Sequence, residues 1–156
     1  MDWTKAFQNI GHDVIRLVIA YLLALPVGWY REKEAHSVGV RTFPVVAMAS
    51  CGYVMLSMPA FGNTIDAQSR IIQGMVAGIG FIGGGAILKS EGKAHGTATA
   101  ASIWNTGVLG AAVAQDRFVM AAVLSLLNLV ALRLLRPVKE QLDRPEVPPA
   151  PSEPRQ

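Results

Sequence analysis

The chain has 156 residues, 51% of them apolar and 16% charged, with a formal net charge of +3. Soluble domains carry roughly 25% charged residues, and a soluble fold this small has too much surface for so much apolar material, so the composition argues against an ordinary soluble enzyme. One cysteine, Cys51, rules out an intrachain disulfide scaffold, and basic residues spread over several loops rather than along one stripe argue against nucleic acid.

At the N-terminus, residues 1–13, Trp3, Phe7 and Ile10 recur at helical spacing among polar neighbours. An interfacial helix and a frayed end both fit that spacing. Five apolar segments follow: Val14 to Tyr30, Phe43 to Phe61, Ile71 to Leu88, Ala98 to Ala114, and Phe118 to Leu135. Each holds 17 to 19 residues, which as helices at about 1.5 Å per residue just cross a hydrocarbon core of about 30 Å. None alternates apolar and polar residues, so strands are excluded as spans. The fourth is the weakest, diluted by Ser102, Asn105 and Thr106. The first segment ends in Trp29-Tyr30-Arg31-Glu32 without a small-residue cleavage site, so insertion is expected to rely on the spans themselves. The expected fold class is therefore all-α, a polytopic transmembrane bundle of about five spans over residues 14–136. Residues 137–156 form a cytoplasmic tail, Pro-rich and disordered from about 145, where five prolines fall in twelve residues. A linker is the favoured reading of that stretch over a proline-recognition motif.

The loops orient the bundle. Arg31, Lys33, Arg41, Lys89, Lys93, Arg133, Arg136, Lys139, Arg144 and Arg155 fall on one side, against Lys5, Arg70 and Arg117 on the other. Positive-inside reasoning puts the N-terminus outside and the C-terminus in the cytoplasm. Arg16, near the start of the first span, is expected to snorkel to the interface.

Glycine dominates the third segment at positions 74, 78, 80, 83, 84 and 85. Gly74-xxx-Gly78 and Gly80-xxx-Gly84 are small-xxx-small pairs that let helices approach closely. The alternative is a helix opened at Gly83-Gly84-Gly85, with carbonyls facing a cavity. Gly78-Ile79-Gly80-Phe81-Ile82-Gly83 also matches GxGxxG, but no strand precedes it, so a dinucleotide site is excluded. No segment has a central carboxylate, which weakens a midplane cation pump. Gln73, Ser102, Asn105, Thr106 and Asn128 are expected to hydrogen-bond between helices. His12, His36 and His95 form no zinc pattern. With Glu32, Glu34 and Glu91, two of these histidines (His36 and His95) share the cytoplasmic face. A weak hard-cation site is conceivable there, although a solvated loop fits better. Cys51 reads as a small buried hydrophobe. No nucleophile–base pair is suggested, so no catalytic residues and no cofactor are expected.

Four stretches together resemble the MgtC/SapB membrane proteins of bacteria over roughly residues 14 to 115. They are Gly28-Trp29-Tyr30-Arg31-Glu32; Val38-Gly39-Val40-Arg41-Thr42, similar to AGLRT; Arg70 followed by residues 78–85, similar to GIGFLGAG; and Gly96 to Trp104, similar to GLTTAASLW. The resemblance implies a five-span inner-membrane protein that self-associates, with a dimer favoured. It also implies a role in magnesium homeostasis and growth under low magnesium, with virulence in pathogens, exerted through other inner-membrane proteins. A small oligomeric ion or solute channel is the alternative. Carried over by position, the functional candidates are Arg31, Glu32, Arg41, Thr42, Asp66, Arg70, Thr99 and Trp104. Tyr30 stands where the family has a glutamate, Thr97-Ala98 replaces Leu-Thr, and a Pro-rich tail stands where longer members carry a folded domain. Arg41 is expected to cap a helix or to pair with Glu32, fixing the cytoplasmic mouth.

Overall fold

The computed structural model describes residues 3–35, 39–60, 65–90 and 93–142. Among them are five helices: α1 (Trp3–Ala35), α2 (Thr42–Ala60), α3 (Ile65–Gly85), α4 (Thr97–Ala114) and α5 (Phe118–Leu142). A short antiparallel hairpin, β1 (Leu88–Ser90) and β2 (Lys93–His95), joins α3 to α4 with Leu88 opposite His95. The all-α bundle expected from the sequence is the architecture found.

The outside of the bundle is apolar. Val119 is 79% exposed, Leu134 67% and Leu126 61%, an arrangement a water-soluble surface avoids and lipid requires. Among the described residues, two helices are long and apolar enough to cross a membrane by length and composition, over Ile10–Glu34 and Phe118–Pro137; the apolar stretch of α2, Thr42–Ser57, is shorter. With 33 residues, α1 runs about 50 Å at 1.5 Å per residue, well beyond the core thickness of about 30 Å. The N-terminal residues from Trp3 continue this helix without a break.

The centre of the bundle is α4, which packs against all four other helices. Ile103, Thr106, Leu109 and Val113 are each at most 1% exposed. Two of the polar residues that dilute the fourth apolar segment tie α4 to α5. Ser102 Oγ donates to Asn128 Oδ1 of α5 at 2.9 Å, and Asn105 Nδ2 donates to the Leu124 carbonyl at 3.3 Å. Thr106 instead donates to its own helix, at Ser102 O (2.8 Å), and Gln73 is exposed. Ser125 adds an unanticipated bond, to the Leu23 carbonyl of α1 at 2.6 Å.

The third apolar segment ends earlier than its hydropathy suggests. Ala86 and Ile87 donate to the carbonyls of Gly83 and Gly84 at 3.0 and 3.1 Å, tightening the last turn so that the helix closes at Gly85. Leu88 then belongs to β1 rather than to the helix. The GxGxxG stretch lies wholly within α3, as expected of a chance match. His36, Val38, Phe61, Glu91 and the Pro-rich stretch from Pro145 lie outside the described residues.

Candidate functional site

Arg31, in the second-last turn of α1, is only 7% exposed. A buried guanidinium has to be hydrogen-bonded and charge-compensated, and two side chains answer. Nη1 donates to Glu34 Oε2 at 2.6 Å, and Nη2 donates to Thr99 Oγ1 in the first turn of α4. Glu34 also reaches α5, with Oε1 3.5 Å from Arg136 Nε. Three helices are thus clasped at one end of the bundle by the pattern Arg136–Glu34–Arg31–Thr99. Arg31, Glu34 and Arg136 border a cleft of about 540 Å³, lined among others by Thr97, Leu132 and Leu135.

Glu32, on another face of α1, has a different partner. Its Oε2 accepts the backbone N–H of Val40 at 3.1 Å, which fastens the turn entering α2. No ion pair joins Glu32 to Arg41 among the described residues, so the expected Arg41–Glu32 pairing is replaced by a backbone contact. Arg41 is exposed. The turn can come this close because it contains Gly39, where a Cβ would stand 2.6 Å from Glu32 atoms; Gly28 likewise packs on the Gly39 carbonyl. Tyr30 lies under Arg133 of α5, with the guanidinium carbon 5.5 Å from the ring centroid, a cation–π contact.

The hairpin fixes the start of α4 and hence Thr99. Gly96, just before that helix, has φ 82°, and a Cβ there would stand 2.0 Å from the Ala86 carbonyl oxygen, so both the left-handed backbone and the close approach demand glycine. Gly83 packs against the Ala100 backbone from the α3 side.

The structure therefore brings Arg31 and Thr99 together and places Glu32 nearby at the α1–α2 turn, with Thr42 opening α2. Asp66 and Arg70 are exposed in the first two turns of α3, at its other end, and Trp104 points outward from α4. Glu34 and Arg136 complete the cluster, and the sequence reading had not placed them there; their signal was helical spacing from Arg31 and an arginine late in α5. His95 stands in β2, and no group of three or more His, Cys, Asp or Glu side chains suited to a metal ion occurs among the described residues. At the opposite end, Arg16 donates to both carboxylate oxygens of Asp116, from Nε at 2.9 Å and Nη2 at 2.6 Å. Arg16 is thus bound to a partner rather than merely snorkelling.

A family model described as "MgtC family" matches residues 17–141. The chain belongs to the MgtC family. Among similar curated proteins, "Protein SrpB" of Synechococcus elongatus is 39% identical over 110 residues, covering 63% of this chain and 60% of that protein. "Protein MgtC" of Brucella abortus is 29% identical over 137 residues, covering 88% and 57%. The Escherichia coli K12 protein named "Putative magnesium transporter YhiD" is 28% identical over 127 residues, covering 78% and 59%. The chain thus spans less than two thirds of the length of each of these relatives. No solved structure matches it. Family membership and the apolar exterior together make this MgtC-family chain a membrane protein.

Proposed function

We propose that this protein is a multi-pass inner-membrane protein, non-enzymatic, that supports magnesium homeostasis and growth when magnesium is scarce by acting on other membrane proteins. The observation that carries this reading is the family match over residues 17–141, together with relatives whose names carry MgtC and magnesium transport. The cytoplasmic end is the one with Arg31, Arg41, the hairpin and Arg136. Burial of Arg31 in a three-helix clasp supports a role for Arg31 and Thr99 in setting the shape of that end.

The test is growth of a deletion strain across a magnesium titration, with the gene restored on a plasmid. A defect confined to low magnesium and cured by the plasmid is expected; normal growth at every level overturns the reading. Arg31→Lys and Thr99→Val, expressed at wild-type level, are expected to cure only in part, because a point charge does not reproduce the paired planar contacts of a guanidinium. Ion flux into proteoliposomes by the purified chain would instead identify it as a channel.

A further inference from the structure

Of the 21 residues of α3 only Ile79 and Gly83 are buried, so this helix gives most of its surface to whatever surrounds the bundle. Lipid alone suits it poorly, because α3 is not one of the two helices apolar enough to cross a membrane by length and composition. At about 100° per residue, the exposed residues Asp66, Arg70, Gln73, Gly80, Phe81 and Gly84 fall within an arc of about 100° on one face. Gln73 lies about 12 Å along the helix from Ile65 and about 18 Å from Gly85, far from both ends. Among the described residues its side chain has no hydrogen-bond partner within the chain. An unpaired amide costs free energy at that depth in lipid, and a second amide relieves it, since each carries both donors and an acceptor.

The same face is complementary to itself. Copies inserted with one topology meet α3 to α3 in parallel, which sets Gln73 against Gln73 and the Asp66–Arg70 turn against its equivalent. A two-fold axis then makes two contacts of opposite charge at once. Within one chain, no ion pair joins Asp66 to Arg70 among the described residues. Phe81, 85% exposed, stands beside Gly80 and Gly84, where a Cβ would meet nothing within 4 Å, so a projection adjoins two hollows. We propose that α3 is the contact surface between two copies of this chain, related by a two-fold axis along the membrane normal. Gln73 bonds to Gln73, Asp66 of each copy faces Arg70 of the other, and Phe81 sits over the other copy's Gly80 and Gly84. An unrelated partner helix would require none of this self-complementarity. The contact involves no magnesium, so it stands or falls apart from the growth phenotype.

The test is disulfide cross-linking of the full chain in membranes, where the fully buried Cys51 adds little background. Ala77→Cys places a thiol in the middle of the exposed α3 face, and Leu126→Cys places one on the exposed side of α5. Covalent dimer is expected from Ala77→Cys well above the yield from Leu126→Cys. Adding Asp66→Arg to Ala77→Cys should lower the dimer yield about fivefold, by turning two attractive contacts into repulsive ones. Adding Arg70→Asp as well should restore it. A role confined to the fold of a single chain does not predict that restoration. Equal yields at the two cysteines, cross-linking of Ala77→Cys only to a different protein, or a double reversal that fails to restore the dimer overturns the proposal.

Discussion

Gly110 leaves no room for a side chain: a Cβ there would stand 2.1 Å from the Ala47 carbonyl oxygen, and at Gly107 it would stand 2.1 Å from the Ile79 side chain. These two residues, rather than the run in α3, are where α4 meets its neighbours most closely. In α3 only Gly83 has a neighbour within contact distance; a Cβ at Gly74, Gly78, Gly80, Gly84 or Gly85 meets nothing within 4 Å. The expected small-residue packing is therefore absent within the chain at those five positions. Gly110→Ala is expected to destabilise the purified subunit by about 1–3 kcal/mol through overpacking against rigid backbone. Gly80→Ala should leave subunit stability unchanged or raise it by up to about 1 kcal/mol, since alanine is the better helix former. Thermal unfolding in detergent measures both. If Gly80→Ala also lowers cross-linked dimer without loss of stability, the open α3 face is the contact between copies.

The α4–α5 turn shows how one element carries two requirements at once. Arg117 N–H donates to the Ala112 carbonyl at 2.9 Å and Asp116 N–H to the Val113 carbonyl at 3.0 Å, which is a Schellman closure. Such a closure needs a left-handed residue, and Asp116 fills the place with φ 57°. Glycine would fit the backbone better, but it has no carboxylate to hold Arg16, so aspartate satisfies both demands. Asp116→Asn keeps a side chain that tolerates the left-handed region and should cost about 0.2–1 kcal/mol, the worth of an exposed ion pair. Asp116→Ala adds roughly 1–2 kcal/mol of backbone cost. Unfolding temperatures should therefore rank wild type above Asn above Ala; an Ala variant as stable as Asn would remove the backbone argument.

At the scale of the whole molecule the two ends are chemically distinct. One end gathers Arg31, Glu34, Arg136 and the hairpin, and the other holds the Arg16–Asp116 pair. The positive-inside rule predicts that the first end, with its basic side chains, faces the cytoplasm. Labelling with a membrane-impermeant maleimide tests this, because Cys51 is fully buried and adds little background. Arg117→Cys should react in intact cells, whereas Lys89→Cys should react only after permeabilisation. The opposite pattern would invert the orientation.

The sequence by itself determined the helical class, the approximate extent of the apolar segments and the stretches that mark the family. These are properties of a segment and its solvent: a run of apolar residues has to satisfy its own backbone in lipid, whatever its neighbours are. Arg31 and Thr99 were legible as candidates through the resemblance, but their contact was not, because 68 positions separate them and only the packing of α1 on α4 joins them. Tertiary structure also reversed the ranking of the segments. Ser102, Asn105 and Thr106 weaken α4 as a lipid-facing helix, yet α4 is the helix that packs against all four others, and two of the three hydroxyl or amide groups find partners on a neighbour. Hydropathy records the preference of a side chain for lipid or water, whereas the choice between lipid and another helix depends on shape and hydrogen-bond partners supplied from elsewhere in the chain. The same reason explains why glycine count pointed to α3 while the closest helix contacts formed at Gly107 and Gly110.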